Sequence, residues 1–551
     1  MRATRHAEDC CASAATARRL AAEIRELRAT VKRDAAEKDG LRARLADVEG
    51  QLAAMSKRVA TYAKMLFGRS SEKKAKNKEP SADPGAAPPG DPDAPTVKPK
   101  RRRGQQPGTA GHGRRDYSEL PSEEEVHDVA AKDRCCPVCK ARYEPFGDET
   151  SSQVDWQVRL VRIVHRRPKY RRTCRCAPRG VLVAPAVPKP IAKGLFTSGF
   201  LARLLTEKFV LGRPLHRICA ALAADGLRVS EGTLVGVMQT LSSHLAPLDA
   251  LIRARNARSA HLHIDETSWK VFEAVADKEG YKWWLWVFLG ADTSVFALAP
   301  DRSSDLPVSH LGLDLASGVL EGGRRLLISA DFYSVYQSIA KLDGVDALWC
   351  WAHIRRYFIR AADAHRSLRR WSDEWLLRIG DLYVAHRAHR ATDPGSPEGA
   401  RAKAQLDEAL QVIDTARTTE DRDGLHYAAQ DVLATLDHEW EGLARHLEFP
   451  ELDLDNNAAE RALRNPVVGR KNYYGSGSVR SAELAGRVWT VTATAALAGC
   501  NPLAYLSAYL DACALAGGKP PQGAELRRFL PWRATKTDLA AWRMPGSGPA
   551  P

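Results

Sequence analysis

The run KWWLWVFL, residues 282–289, constrains this chain more than any other stretch. Trp284, Trp286 and Phe288 alternate with Trp283, Leu285, Val287 and Leu289, so a strand here is apolar on both faces. Such a strand belongs in the middle of a sheet whose two faces are both covered. Four further short runs with period two or continuous apolar character lie around it between 258 and 350: HLHIDETSWKVF, TSVFALAP, RRLLISAD and ALWCWAHI. Together they predict five strands, with a helix between the third and fourth. Residues 191–257, 353–448 and the chain from Asn456 onward instead carry helical periodicity. The predicted fold class is therefore multidomain α+β, with an α/β core over 258–500, a helical insertion at 361–448 and a helical tail at 501–551.

Upstream of the core the chain changes character three times. Stepping alternately by four and three from Leu20 to Leu66 meets an apolar or aromatic residue at twelve of fourteen positions, which predicts a coiled coil over 18–67. Asp34, Lys38 and Gly40 interrupt it, either setting register or breaking the helix; one helix folded back on its own domain is the other reading. Residues 68–115 are rich in Pro, Gly, Ser and Lys and read as a linker that cannot fold alone. Residues 116–190 hold a C-x-x-C pair, Cys136 and Cys139, and a C-x-C pair, Cys174 and Cys176. Two such pairs around a strand-like stretch suit a tetrahedral structural Zn²⁺, with buried free thiols as the alternative. In the helical region 191–257, PLHRICAALAADGLRVSEGTLVGVMQTL reads as helix, turn at Asp225–Gly226, and a second helix capped by Ser230. That is the shape of a helix-turn-helix, and of many other helical hairpins.

Charge says what kind of partner to expect. The 82 Lys+Arg exceed the 67 Asp+Glu by 15, which points to a polyanion, either nucleic acid or an acidic membrane surface. About half of the excess sits in the linker, with 12 Lys+Arg against 5 Asp+Glu, including Arg101, Arg102 and Arg103. Such a segment neutralises phosphates without reading sequence, or serves as a solvated tether. No run of 18 apolar residues exists to span a bilayer, and the charged N-terminus supplies no signal-peptide core, so a cytoplasmic protein is expected. The 11 cysteines are too sparse for a disulfide scaffold.

Three carboxylates stand where elements begin, run or stop. Asp265 lies within the first strand, Asp331 directly follows the apolar end of the fourth, and Glu460 opens the helix DNNAAERALR beside Arg461, Arg464, Arg470 and Lys471. Phosphoryl transfer on DNA needs two divalent cations about 3.5–4 Å apart to clamp attacking and leaving oxygens. Hard cations prefer oxygen ligands on rigid elements. Each acid also has a structural reading. Asp331 could cap the helix FYSVYQSIAKL, Glu460 could complete a capping box with Asn457 or pair with Arg464, and Asp265 could face solvent. Spacing alone does not join them.

A resemblance does. HIDETSWKV, ISADFYSVYQ and LDNNAAERALRNPVVGRKNYYGSG, with WCWAHIRRYF, CPVC, CRC, GQQPGTAGHGRR, TEKFVLGRPLHRI and the terminal FLPW, resemble transposases of the insertion sequence 66 family. The likeness runs from the coiled coil to about residue 533. It implies a DDE-type enzyme with an RNase H-like core acting on double-stranded DNA, at the element ends and at the target. It implies two Mg²⁺ (or Mn²⁺) ions held by Asp265, Asp331 and Glu460, with Asp265 bridging them. Arg461, Arg464, Arg470 and Lys471 would contact DNA near the cleaved phosphate. The 129 residues from Asp331 to Glu460 then accommodate the helical insertion. Cys350 and His353 match the family's C-x-x-H motif and read as packing or substrate positioning. The family also implies a bacterial, nucleoid-associated protein, self-association through the coiled coil, and accessory proteins from the same element. Two rivals remain: a regulator that binds DNA without cutting it, and a nuclease of the same fold that cuts without strand transfer.

Overall fold

The computed structural model describes residues 160–171, 181–276, 278–320 and 324–544, with isolated residues 38, 138 and 141. The expected coiled coil, the linker with Arg101, Arg102 and Arg103, and Cys136, Cys139, Cys174 and Cys176 lie outside the described residues. Of the strand-like stretch between the cysteine pairs, Lys169–Arg171 forms a strand and pairs antiparallel with Val181–Val183. Residues 160–168 form no regular element, and Val161, Ile163 and Val164 are exposed.

The helical region begins with α1 (Ser198–Leu205), capped by the Thr197 hydroxyl and continued by a π-helical turn, Thr206–Val210. The hairpin expected next is present as α2 (Leu215–Ala224) and α3 (Glu231–Asn256). Gly226 turns the chain at φ +94°, and Ser230 Oγ accepts from Thr233 N–H at 3.2 Å. α3 does not stop at hairpin length. Leu241, Leu245, Leu248 and Ile252, one per turn, are fully buried and carry the helix into the core.

All five predicted strands form one mixed sheet: β1 (His261–Lys270), β2 (Lys282–Leu289), β3 (Ser294–Ala299), β4 (Leu326–Ala330) and β5 (Val345–Trp349). The order is β3-β2-β1-β4-β5. β1, β2 and β3 are an antiparallel meander, whereas β4 and β5 run parallel to β1. β2 lies inside the sheet as its composition requires, with Leu285, Trp286, Val287 and Phe288 fully buried. The predicted helix between β3 and β4 is α4 (Asp305–Leu311). A short α5 (Ser334–Ile339) joins β4 to β5.

ALWCWAHI is not a single strand. β5 ends at Trp349, and α6 (Trp351–Ala364) starts two residues later. The apolar run masks a change of period, because Trp351, Ile354, Phe358 and Ala361 recur at helical spacing and are all buried. The helical excursion continues through α7 (Arg369–Arg390), α8 (Pro397–Thr419), α9 (Tyr427–His438) and α10 (Trp440–Ala444). The chain then enters α11 (Asn457–Tyr473) and α12 (Val479–Leu497), and ends in the helical tail α13 (Pro502–Leu515), α14 (Gly523–Arg528) and α15 (Lys536–Ala541).

α12 closes the free edge of β3. Thr490 Oγ1 accepts from Phe296 N–H at 2.9 Å and Thr494 Oγ1 from Ser294 N–H at 3.1 Å. Two edge amides that would otherwise invite a foreign strand are thereby satisfied. No helix among the described residues is long and apolar enough to cross a membrane.

Candidate active site

The parallel pairing of β1 with β4 brings the first two carboxylates together. His261, Leu262 and His263 stand opposite Leu327, Ile328 and Ser329, so the register carried two residues on sets Asp331 beside Asp265. Asp331 does not cap α5. That helix starts at Ser334 with Tyr333 as its N-cap, and Asp331 Oδ1 accepts from Tyr333 N–H at 3.0 Å in the preceding turn. One carboxylate oxygen thus fixes the turn, which sets the direction of the other.

Glu460 reaches the pair because α11 is fastened to β1 along its whole length. At its start, buried Asn456 joins two points of the strand: its Oδ1 pairs with His263 Nδ1 at 3.0 Å and its Nδ2 donates to Ile264 O at 2.7 Å. In its last turn, Arg470 donates to Thr267 Oγ1 at 3.0 Å and Ser268 Oγ at 3.1 Å. Beyond its end, Ser476 N–H donates to Lys270 O and Phe272 N–H to Ser476 O, both at 2.8 Å. Gly475 makes that return possible: its φ is +153°, and a Cβ there would overlap the Lys270 carbonyl. The long motif from Leu454 to Gly477 is therefore one clamp on a strand.

Neither structural reading of Glu460 holds. The N-cap is Asn456, which puts Glu460 one position past the capping-box site. Its ion pair is with Arg356 of α6, at 3.3 Å, rather than with Arg464. Standing in the first turn, Glu460 is favoured by the helix dipole.

Electrostatics join the three acids. Asp265 sits partly buried in β1, with Oδ1 accepting from Glu266 N–H at 2.8 Å. Burial first, then the Glu266 charge, hold its carboxyl well above the usual carboxylate range, and Asp331 and Glu460 push the same way. Like charges thus converge on Asp265 without a cation. That is the condition a divalent ion relieves, and an all-oxygen donor set suits Mg²⁺ or Mn²⁺. Among the described residues no three Asp, Glu, His or Cys side chains are grouped closely enough to hold one ion.

Several residues of the site were not singled out from sequence. Glu266, next to Asp265, is buried and accepts from Arg302 Nε at 2.7 Å and from the Tyr336 hydroxyl. Arg302 lies 3.7 Å over the Tyr333 ring and 4.7 Å over Trp284, and its carbonyl accepts the Tyr333 hydroxyl at 2.6 Å. The network leads from Glu266 back to the turn that holds Asp331. Two adjacent acids on a strand face opposite ways, which was the one signal that the second needed a partner.

The C-x-x-H pair divides its labour. Cys350 Sγ accepts from Asn456 N–H at 3.2 Å, and burial pushes its thiol up to about 12, which makes it a packing residue. His353 faces the acids. Its Nε2 lies 3.3 Å from an Arg356 nitrogen, its buried Nδ1 has no partner, and Asp331 and Glu460 both act on its charge. Of the expected basic contacts, Arg461, Arg464 and Lys471 are exposed along α11, whereas Arg470 is turned onto β1.

The model of the family described as Transposase IS66 family matches residues 193–484, a span that contains Asp265, Asp331 and Glu460. Two uncharacterized Sinorhizobium fredii proteins are similar at full-domain scale. y4qI is 27% identical over 453 residues, covering 79% of this chain and 78% of its own length. y4hP is 25% identical over 436 residues, covering 74% of each. No solved structure matches the chain. A match over more than half of the residues, with the converging carboxylates inside it, places the chain in the IS66 family of transposases.

Proposed function

We propose that the protein is a DNA transposase that cleaves phosphodiester bonds at the ends of its element and joins the freed ends to target DNA. Its sheet, an antiparallel meander extended by two parallel strands, is read as an RNase H-like core. Asp265, Asp331 and Glu460 are read as the ligands of two Mg²⁺ or Mn²⁺ ions, with Asp265 shared. The observation that carries this reading is the convergence on Asp265 of Asp331, through the parallel register of β1 and β4, and of Glu460, whose charge acts on the same carboxyl. Bound there, the ions would supply Lewis-acid stabilisation and lower the pKa of water.

The protein's own groups orient and position. The Asp331 turn and the Asn456 clamp fix the carboxylates on rigid elements, and Arg461, Arg464 and Lys471 offer an exposed basic face to the DNA backbone. Water opens the P–O3′ bond at the element end, leaving a 3′-hydroxyl. That hydroxyl then attacks a target phosphodiester in line, displacing a second 3′-oxygen, with no covalent enzyme intermediate. Outside the described residues, Cys136, Cys139, Cys174 and Cys176 are proposed to hold Zn²⁺. Residues 18–67 are proposed to pair two copies, and the arginines at 101–103 to hold DNA without reading it.

The test places DNA flanking the gene on a donor plasmid as a mini-element, with neighbouring reading frames supplied, and sequences insertion junctions. Junctions with wild type that vanish with Asp331→Ala are expected. Binding of the flanking DNA without junctions in any arm would instead support a non-cutting regulator. Cut ends without joined products would support a nuclease.

A further inference from the structure

Arg356 does something that packing does not require. Its guanidinium donates to Glu460 Oε1 at 3.3 Å and reaches His353 Nε2 at 3.3 Å. Its side chain is 40% exposed and that of Glu460 38%. An ion pair this open, at this separation, is among the weak ones, and a stronger competitor for either partner dissolves it. Both competitors belong to the proposed reaction. A divalent cation competes for the carboxylate, and a phosphodiester competes for the guanidinium, which suits bidentate phosphate binding better than any other side chain. His353 is the pivot. It is carried on the same helix one turn earlier, and its ring packs edge-on to Phe332, the neighbour of Asp331.

We propose that Arg356 is a positioning residue shared between two states: it holds Glu460 in the free protein and passes to a DNA phosphate in the complex, so that Glu460 becomes free to take a cation only when DNA is in place. The proposal rests on the reading of Glu460 as a metal ligand. Its function would be to keep the cleavage site incomplete until substrate arrives, and by reciprocity DNA and cation then bind more tightly together than apart.

The test is Mn²⁺ binding to the full-length protein by electron paramagnetic resonance, counting only sites lost in Asp265→Asn. Arg356→Gln is expected to bind Mn²⁺ about tenfold more tightly than wild type without DNA, a coupling of ordinary size. Arg356→Lys should fall between the two. Arg360→Gln removes the same charge one turn along the exposed side of α6, without the contact, and should change the affinity less than about twofold because exposed charges are screened. A duplex cut from the flanking DNA should tighten Mn²⁺ binding in wild type and tighten it less in Arg356→Gln.

Equal effects of the Arg356→Gln and Arg360→Gln changes would overturn the proposal, as would an Arg356→Gln affinity no tighter than wild type. So would a duplex effect of the same size in wild type and Arg356→Gln, or none in wild type. In each of these cases the two-ion reading survives if Asp265→Asn and Glu460→Gln still weaken binding. Mn²⁺ binding indifferent to both of those changes would sink the reading of the site, and the role of Arg356 with it.

Discussion

Asp265, a proposed metal ligand, sits where ionising it costs stability. Its carboxyl is raised above the unfolded value by burial and then by neighbouring acids, so its contribution to stability is greatest below the unfolded pKa and is lost as pH rises through the folded one. Ionising the group opposes folding. Asp265→Asn should therefore raise the melting temperature in chelator by roughly 2–4 °C for each kcal/mol gained. It should also abolish the further rise that Mg²⁺ gives the wild type. A lower melting temperature in the variant would show that the charge is compensated. Histidines act in the opposite direction. Burial holds His446 and His261 down to about 4 in the fold. Their share of stability is present above 6.5 and is lost as pH falls from there towards 4, with His446 alone worth on the order of 3 kcal/mol. Urea midpoints of Asp265→Asn, which lacks the opposing carboxyl, should fall over that window, and a flat profile would contradict it. At this scale the sequence was partly legible. Asp265, Asp331 and Glu460 stood at element boundaries or on a strand, but Arg470 looked like another free cation and is a strut to Thr267 and Ser268. Which way a helical arginine points depends on the distant strand beneath it.

The elements owe their arrangement to a few contacts that can be broken singly. Gly475 and Gly477 lie two residues apart, yet only the first needs to be glycine, because nothing lies within 4 Å of a Cβ on Gly477. Gly475→Ala should cost about 1–3 kcal/mol through strain and overlap with Lys270, and should lower cleavage by loosening α11. Gly477→Ala should be nearly neutral in both thermal melts and junction counts. Equal effects would mean that the return to β1 is not what holds Glu460. At the β3 edge of the sheet, Thr490→Val with Thr494→Val keeps the volume of α12 but leaves two buried amides unpaired, at about 1–3 kcal/mol each. Denaturant titration of the double variant should show that loss, and an unchanged midpoint would mean water replaces the hydroxyls. The strands themselves were readable from alternation, since a sheet of this order needs apolar residues on both faces of β2. The boundary at Cys350 was not, because Trp349 and Trp351 continue one apolar run across a change from strand to helix.

For the whole molecule, the family match makes the protein a member of the IS66 family of transposases, and Asp265, Asp331 and Glu460 are its proposed catalytic acids. The proposed pairing of two copies belongs at this scale. Deleting residues 18–67 should convert a dimer into a monomer by light scattering, and a dimer of unchanged stability would move the interface elsewhere. The fold class and the three acids could be argued from residues and resemblance. The links among them could not, because Asn456, Arg302 and Arg356 act only across segments far apart in sequence. One of those links has a consequence for how such chains change over time. Asn456 N–H touches Cys350 Sγ although the two are 106 residues apart. The place where the chain leaves the sheet and the place where it comes back are thus neighbours, and the excursion between them is tied to the core again where Gln337 donates to Glu439 at 2.6 Å and His446 Nε2 lies 3.0 Å from the Trp349 carbonyl. Only the far tip of the excursion, the turn between α7 and α8, can lengthen or shorten without disturbing the contacts that tie it to the sheet. The turn of residues 391–396 between α7 and α8 is accordingly where a reporter domain could be grafted into the protein.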